Sequence, residues 1–249
     1  MGQAIEDSIR ALIERVAASP PGVTRYRCPL VAFVSAHDPE FARLKKRIDP
    51  SHLTPQELLP DAEGVVSFFL PFEKSVVMAN IQGHYTAREW AVAYIETNRL
   101  IGHICHLLGD LLANYGYSSR WELPTHNFDP VRLVSHWSHK SVAVIAGLGS
   151  FGLHHMVITD AGCAGRFGSL VTSATLAPTA FERRERCRYF VDRSCRVCVE
   201  RCPVGALTEL GLDRSVCYER CLDVDRHYAD LELSDVCGKC ATGPCALQA

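Results

Sequence analysis

Cys195-Arg-Val-Cys198-Val-Glu-Arg-Cys202-Pro203 is the stretch on which the reading of this chain turns. Its spacing is that of the last three thiols and the proline in the run C-x2-C-x2-C-x3-C-P, which holds iron–sulfur cubes. In such a run a short loop wraps three thiolates around one cube, and the fourth opens a helix that carries it to a second. The first thiol of the run would fall at position 192, which is Asp192. Cys187 lies five residues earlier and can replace it through a longer loop.

A second set follows in Cys217-Tyr-Glu-Arg-Cys221 and Cys237-Gly-Lys-Cys240-Ala-Thr-Gly-Pro-Cys245. Two cubes need eight thiolates. One cysteine of the 217/221 pair brings the set to Cys187, Cys195, Cys198, Cys202, Cys217, Cys237, Cys240 and Cys245. The ferredoxin crossover suggests Cys187, Cys195, Cys198 and Cys245 on one [4Fe–4S] cluster and Cys202, Cys217, Cys237 and Cys240 on the other. Cys221 is then spare, because helical spacing turns only one of that pair toward a given cluster. Two zinc sites of four thiolates compete for the paired C-x2-C motifs. The Cys-Pro after a three-residue gap, followed by Val204-Gly-Ala-Leu207, favours the ferredoxin pattern over a zinc ribbon.

Of the twelve cysteines, only Cys28, Cys105 and Cys163 precede residue 181. Crowding of the rest near the end argues for metal ligands and against a disulfide framework. The opening Met1-Gly-Gln-Ala-Ile-Glu-Asp has neither the basic nor the apolar region of a secretory signal, so a cytoplasmic location is expected. No apolar run approaches the roughly 20 residues of a membrane span. A formal net charge of -2 gives no global attraction to nucleic acid or anionic lipid. With 249 residues, 47% of them hydrophobic, the chain can bury a sizeable core.

Outward from the cysteines the periodicity changes. Ile5, Ile9, Leu12, Ile13 and Val16 form one stripe of a helix over 3–17, and Trp90, Tyr94, Ile101, Ile104 and Leu108 mark a long helix over 86–115, stopped by Gly116. A charged helix is expected near 38–48 and another around 138–146. Leu30–Val34, 156–159 and 167–172 read as strands, and the unbroken run Gly64-Val-Val-Ser-Phe-Phe-Leu70 suits a central one. Mixed elements of this kind imply an α/β or α+β layer fold. Leu176-Ala-Pro-Thr-Ala180 marks the expected boundary between a core, 1–180, and a cysteine-rich module, 181–249.

Ser138-His-Lys-Ser-Val-Ala-Val-Ile-Ala-Gly-Leu-Gly149, Phe151-Gly, Thr159 and Arg166-Phe-Gly-Ser-Leu-Val-Thr172 resemble the epoxyqueuosine reductase family, which includes the corrinoid-dependent reductive dehalogenases and short iron–sulfur proteins. Leu58-Leu-Pro60, Leu70-Pro71-Phe72 and Glu89-Trp90-Ala with Tyr94 and Thr97-Asn98 extend the likeness to the short members. The resemblance implies an α+β protein: a nitroreductase-like α/β core holding base-off cobalamin, followed by a ferredoxin-like module with two [4Fe–4S] clusters. It implies that Gly147, Leu148, Gly149, Gly152 and Arg166 border the cofactor, where glycines would let backbone approach a flat macrocycle. The chain departs from the family's Gly-Leu-Gly-Trp-Ile-Gly-Lys in Gly147-Leu-Gly-Ser-Phe-Gly-Leu153, and His154 and His155 follow. Asp129, beside Pro130, stands nearest to the family's catalytic acid, with His126 close in sequence.

These features predict an iron–sulfur oxidoreductase that feeds electrons to a corrinoid or substrate in its core. The alternative is an electron-transfer protein, or a reductive activator of a corrinoid partner, with no substrate chemistry of its own. Reduced ferredoxin or flavodoxin is the expected donor, and seven arginines within 183–201 could dock an acidic one. A small molecule or nucleoside is the expected substrate. Transfer RNA is not favoured, since the sequence has a mildly acidic pI and ends four residues after Cys245.

Overall fold

The computed structural model describes residues 2–181 and 184–248. At its centre lies β2 (Gly64–Pro71), in which every residue is buried, as its unbroken apolar run predicts. It pairs antiparallel with β1 (Leu30–Ser35) on one side and β8 (Gly165–Thr172) on the other, and β3 (Ser119–Arg120) closes the order β1-β2-β8-β3. Side chains of a strand alternate between faces. Val66, Phe68 and Leu70 therefore enter one apolar core, and Val65 and Phe69 enter the opposite one.

The first core is covered by α1 (Gly2–Ala18) and α5 (Arg88–Asn114), through Ile5, Ile9, Leu12 and Ile13 of the former and Leu100, Ile101, Ile104 and Leu108 of the latter. The second is covered by α2 (Pro39–Arg47) and α6 (His139–Ile145). Local signals set these helices. Asp38 accepts from the Glu40 N–H ahead of Pro39, and Ser138 accepts from the Ser141 N–H. Gly116 ends the long helix region at φ 82°, a left-handed conformation natural to glycine.

Several short elements escape the periodicity: α3 (Pro55–Leu58), α4 (Lys74–Ala79), the hairpin of β4 (Phe128–Asp129) with β5 (Val134–Ser135), and β6 (Gly149–Phe151), which pairs with β7 (Val157–Thr159). Each spans too few residues to show a repeat. The cysteine-rich segment contains α7 (Arg188–Asp192), α8 (Val197–Glu200), the ladder of β9 (Leu207–Thr208) with β10 (Gly211–Leu212), α9 (Arg214–His227) and a 3-10 turn (Lys239–Thr242).

That segment is built onto one edge of the core. The Cys163 and Ala164 N–H groups donate to the Cys245 and Ala246 carbonyls at 2.9 and 3.0 Å. Phe72, Trp90, Ile158, Cys163, Ala241 and Ala246 share one buried apolar cluster across the junction. Polar clips reinforce it: Tyr94 donates to Asp235 at 2.7 Å and Thr86 to the Cys237 carbonyl at 3.0 Å.

Candidate functional site

Cys187, Cys195, Cys198 and Cys245 line one cavity of about 180 Å³, together with His154, Arg186 and Arg188. Cys187 opens α7, Cys198 lies in α8, and Cys245 arrives past the 3-10 turn on the tail clipped to Cys163. Asp192 stands where the run expects a thiol, and its carboxylate accepts from the Ser194 N–H at 2.9 Å. Arg193 is left-handed at φ 63° in this turn, and Cys187, five residues before Asp192, lines the cavity. Burial, and the neighbouring thiols of Cys245, Cys187 and Cys195, push the Cys198 thiol up to about 11. The Cys245 thiol goes the other way, lowered to about 5 by its hydrogen bond with Cys163 and by His154, so a thiolate is available on one wall of the cavity while Cys198 holds its proton until a cation joins it.

The second group gathers Cys202, Cys217, Cys237 and Cys240. Burial, then the thiols of Cys237, Cys217, Cys198 and Cys202, raise Cys240. The Cys202 sulfur accepts from the Leu207 N–H at 3.4 Å. On α9 Cys217 and Cys221 lie one turn apart, and their mutual hydrogen bond lowers Cys217 to about 7 and raises Cys221. Lys140 of α6 further favours the Cys217 thiolate and is itself pulled down by burial, its Nζ donating to the His155 carbonyl at 3.1 Å. Arg220 lowers the Cys237 thiol, opposing a larger rise from burial. The donor chemistry of both groups fits iron–sulfur clusters: four soft thiols each, with no carboxylate among them.

The glycine segment is used differently from expectation. Gly147 (φ 83°) is covered by the Phe181 ring, which fills the space of a side chain there. Gly149 lies in β6 against the Ile158 carbonyl, and the Cβ position of Gly152 is 2.8 Å from the His154 ring. Leu148 is buried in the second apolar core. A cavity of about 510 Å³ does adjoin Gly147 and Gly149, within the roughly 300–1,000 Å³ usual for small-molecule sites. Its other walls include Arg47, Phe181 and Arg184, and Arg186 borders both this cavity and the thiol-lined one. The Cβ directions of all three glycines are thus taken up by the chain's own atoms, while Gly147 and Gly149 keep an open side toward the cavity.

Arg166 stands apart from these glycines. Its guanidinium lies 4.4 Å from the Tyr94 ring centroid and donates to the Pro124 carbonyl at 3.2 Å, while its Nε has no partner among the described residues. The Asp129 carboxylate accepts the N–H groups of Val131 and Arg132 at 2.8 and 2.9 Å, which hold its pKa below the usual range. It forms the turn that Asp-Pro pairs commonly start. His126 (φ 59°) points its Nε2 to Asp235 at 3.6 Å. Neither Asp129 nor His126 borders the two cavities.

Sequence reasoning passed over Lys140, Asp235 and Cys163. Only the tertiary fold brings the first two to the thiols and to Tyr94. Cys163 belongs to no cysteine motif in the sequence, yet its sulfur is 3.9 Å from that of Cys245.

No protein-family model matches the sequence, and no curated protein matches it either. Solved structures do. An epoxyqueuosine reductase from Bacillus subtilis superposes with a TM-score of 0.64 at 16% identity, over 99% of this chain and 66% of that one. A selenomethionine-labelled epoxyqueuosine reductase gives 0.62 at 16% identity, with the same coverage of 99% and 66%. A reductive dehalogenase, described as suggesting a mechanism for B12-dependent dehalogenation, gives 0.55 at 15% identity over 85% of this chain and 28% of that one. This chain thus has the fold of the epoxyqueuosine reductases and corrinoid reductive dehalogenases, and it spans just under two thirds of the length of the first two reductases.

Proposed function

We propose that this chain is an iron–sulfur oxidoreductase that passes electrons through two [4Fe–4S] clusters, with a core over 1–180 and a ferredoxin-like cluster module over 181–249. The observation that carries the reading is the single cavity lined by Cys187, Cys195, Cys198 and Cys245, thiols 58 positions apart at the extremes. The ferredoxin crossover requires that convergence, and a pair of local zinc knuckles does not. The second cluster is assigned to Cys202, Cys217, Cys237 and Cys240, with Cys221 beside it. Bound clusters supply one-electron transfer. The chain's own residues set where electrons enter and what field they meet.

Electrons enter at the thiol-lined cavity, where the exposed Arg188 gives an acidic donor such as reduced ferredoxin or flavodoxin a complementary charge. The packing of the glycine segment on Phe181, Ile158 and His154, and the distance of Asp129 and His126 from both cavities, favour an electron carrier whose acceptor, a corrinoid protein or another partner, lies outside the core. A second reading, a reductase acting on an anionic small molecule or nucleoside, is favoured by Lys140 and Arg166. Burial lowers the pKa of both, and neither makes an ion pair among the described residues. A net charge of -2 does not favour transfer RNA.

Anaerobic purification and reconstitution with iron and sulfide test the proposal. About eight irons per chain, with visible absorbance and the electron paramagnetic signal of reduced cubes, are expected. Zinc uptake with no visible absorbance would overturn it. Added cobalamin is expected to leave the spectra unchanged on reduction. A cobalamin spectral change would replace the carrier reading with the reductase.

A further inference from the structure

His154, Cys163 and Cys245 bring three ligating atoms within 4.8 Å of one another. The His154 Nε2 is 3.4 Å and the Cys163 Sγ 3.9 Å from the Cys245 sulfur. Two thiolates on one tetrahedral zinc, at about 2.3 Å each, stand roughly 3.8 Å apart, so the spacing alone suits a mononuclear metal. The imidazole decides against it. Its Nδ1 accepts the Met156 N–H at 3.1 Å, which leaves the ring proton on Nε2. A metal-bound histidine instead carries its proton on the other nitrogen and donates it outward. Here that direction is occupied by a second donor.

We propose that His154 donates its Nε2–H to the Cys245 sulfur and thereby raises the potential of the cluster held by Cys187, Cys195, Cys198 and Cys245. This rests on the two-cluster reading above. The contact is dry, since His154 is 4% exposed and Cys163 is fully buried beside it. It is also built by the glycine segment. Gly152 lacks the Cβ that would press on the imidazole, and its carbonyl accepts the N–H of His155, left-handed at φ 57°. The same turn aims the Leu153 N–H at the Cys187 sulfur at 3.5 Å, and the Leu153 side chain packs with Tyr189, Cys198 and Leu207. One five-residue turn, Gly152 to Met156, therefore supplies hydrogen bonds to two ligand sulfurs. Such bonds draw charge from the cluster and favour its reduced form.

The test is a redox titration followed by electron paramagnetic resonance, with iron analysis, on reconstituted wild type, His154→Leu and His154→Gln. His154→Leu is expected to keep about eight irons and move one midpoint potential to more negative values, leaving the other in place. His154→Gln, which retains an N–H donor, is expected to recover most of the shift. Gly152→Ala, which displaces the ring without touching its chemistry, is expected to move the same potential in the same direction. Full iron content with both potentials unmoved in His154→Leu overturns the proposal. Loss of one cluster in His154→Leu and His154→Gln alike makes His154 a ligand or a prop and also overturns it. A wild type that takes up no iron defeats the cluster reading and this role together, whereas the other outcomes defeat only this role.

Discussion

Around Cys187, Cys195, Cys198 and Cys245 the sulfurs meet the Leu153 N–H, the His154 ring and the Cys163 thiol, and Arg186 on the cavity wall is held to Asp160 at 3.2 Å. Around Cys202, Cys217, Cys237 and Cys240 the neighbours are cations on three different elements: Lys140 on α6, Lys239 on the 3-10 turn, and Arg220 on α9, which is itself paired to Asp223 at 2.6 Å. The first group opens into a cavity with an arginine rim; the second is backed by the core helix that also carries His139. One set of thiols is thus placed to meet a partner and the other to face the interior. The difference teaches that two chemically equal sets of four cysteines can be given separate duties by what surrounds them.

Removing one ligand from either side should break the comparison outright. Cys198→Ser is expected to halve the iron content from about eight to about four, and Cys240→Ser to do the same while abolishing the other paramagnetic signal. Iron falling to zero in both variants would show one cooperative site where two are assigned.

Acid should weaken the core beside the second group. Burial holds His139 at about 4, with its ring bonded to Ser169 Oγ and the Leu123 carbonyl. Between pH 6.5 and 4 the unfolded chain binds a proton that the folded chain excludes, so stability is full above that window and falls as pH drops through it. The loss is on the order of 3 kcal/mol by pH 4. Denaturant titrations at pH 7 and pH 5 check this, and His139→Gln should flatten the slope.

A substitution at Gly238 should strain the loop that carries Cys237 and Cys240. Gly238 is left-handed at φ 68°, and a Cβ there would meet the Trp90 indole. Gly238→Ala is expected to cost about 1–3 kcal/mol, read from the same denaturant curves. Smallest of all is the effect of Lys140→Met. It should lower the potential of the cluster assigned to Cys217 and Cys240 while the cavity-side potential stays put. Equal shifts in both would erase the distinction between the two surroundings.

How much of this is legible in sequence depends on how local each signal is. Ile5, Ile9, Leu12 and Ile13 announce α1 because one helix turn separates them, and Gly64–Leu70 announces the central strand because both its faces are buried. The ferredoxin crossover suggests grouping Cys187, Cys195 and Cys198 with Cys245, and all four line one cavity. Gly147, Gly149 and Gly152 are visible as places where backbone must come close to something, but their sequence does not say to what. They meet Phe181, the Ile158 carbonyl and the His154 ring. Asp129 is recognisable as a turn former and as an acid, and only its two N–H partners distinguish these uses.

The ladder that ties Cys163 and Ala164 to Cys245 and Ala246 has a bearing on the order of assembly. The last thiol of the cavity-side set is placed by residues more than 80 positions earlier, so this nest cannot form until β7, β8 and the turn between them have folded. Closing so long a loop is slow and costs entropy that local contacts must first offset. On the two-cluster proposal, metal loading becomes a checkpoint on folding: a chain with an incomplete core would bring only Cys187, Cys195 and Cys198 to this nest.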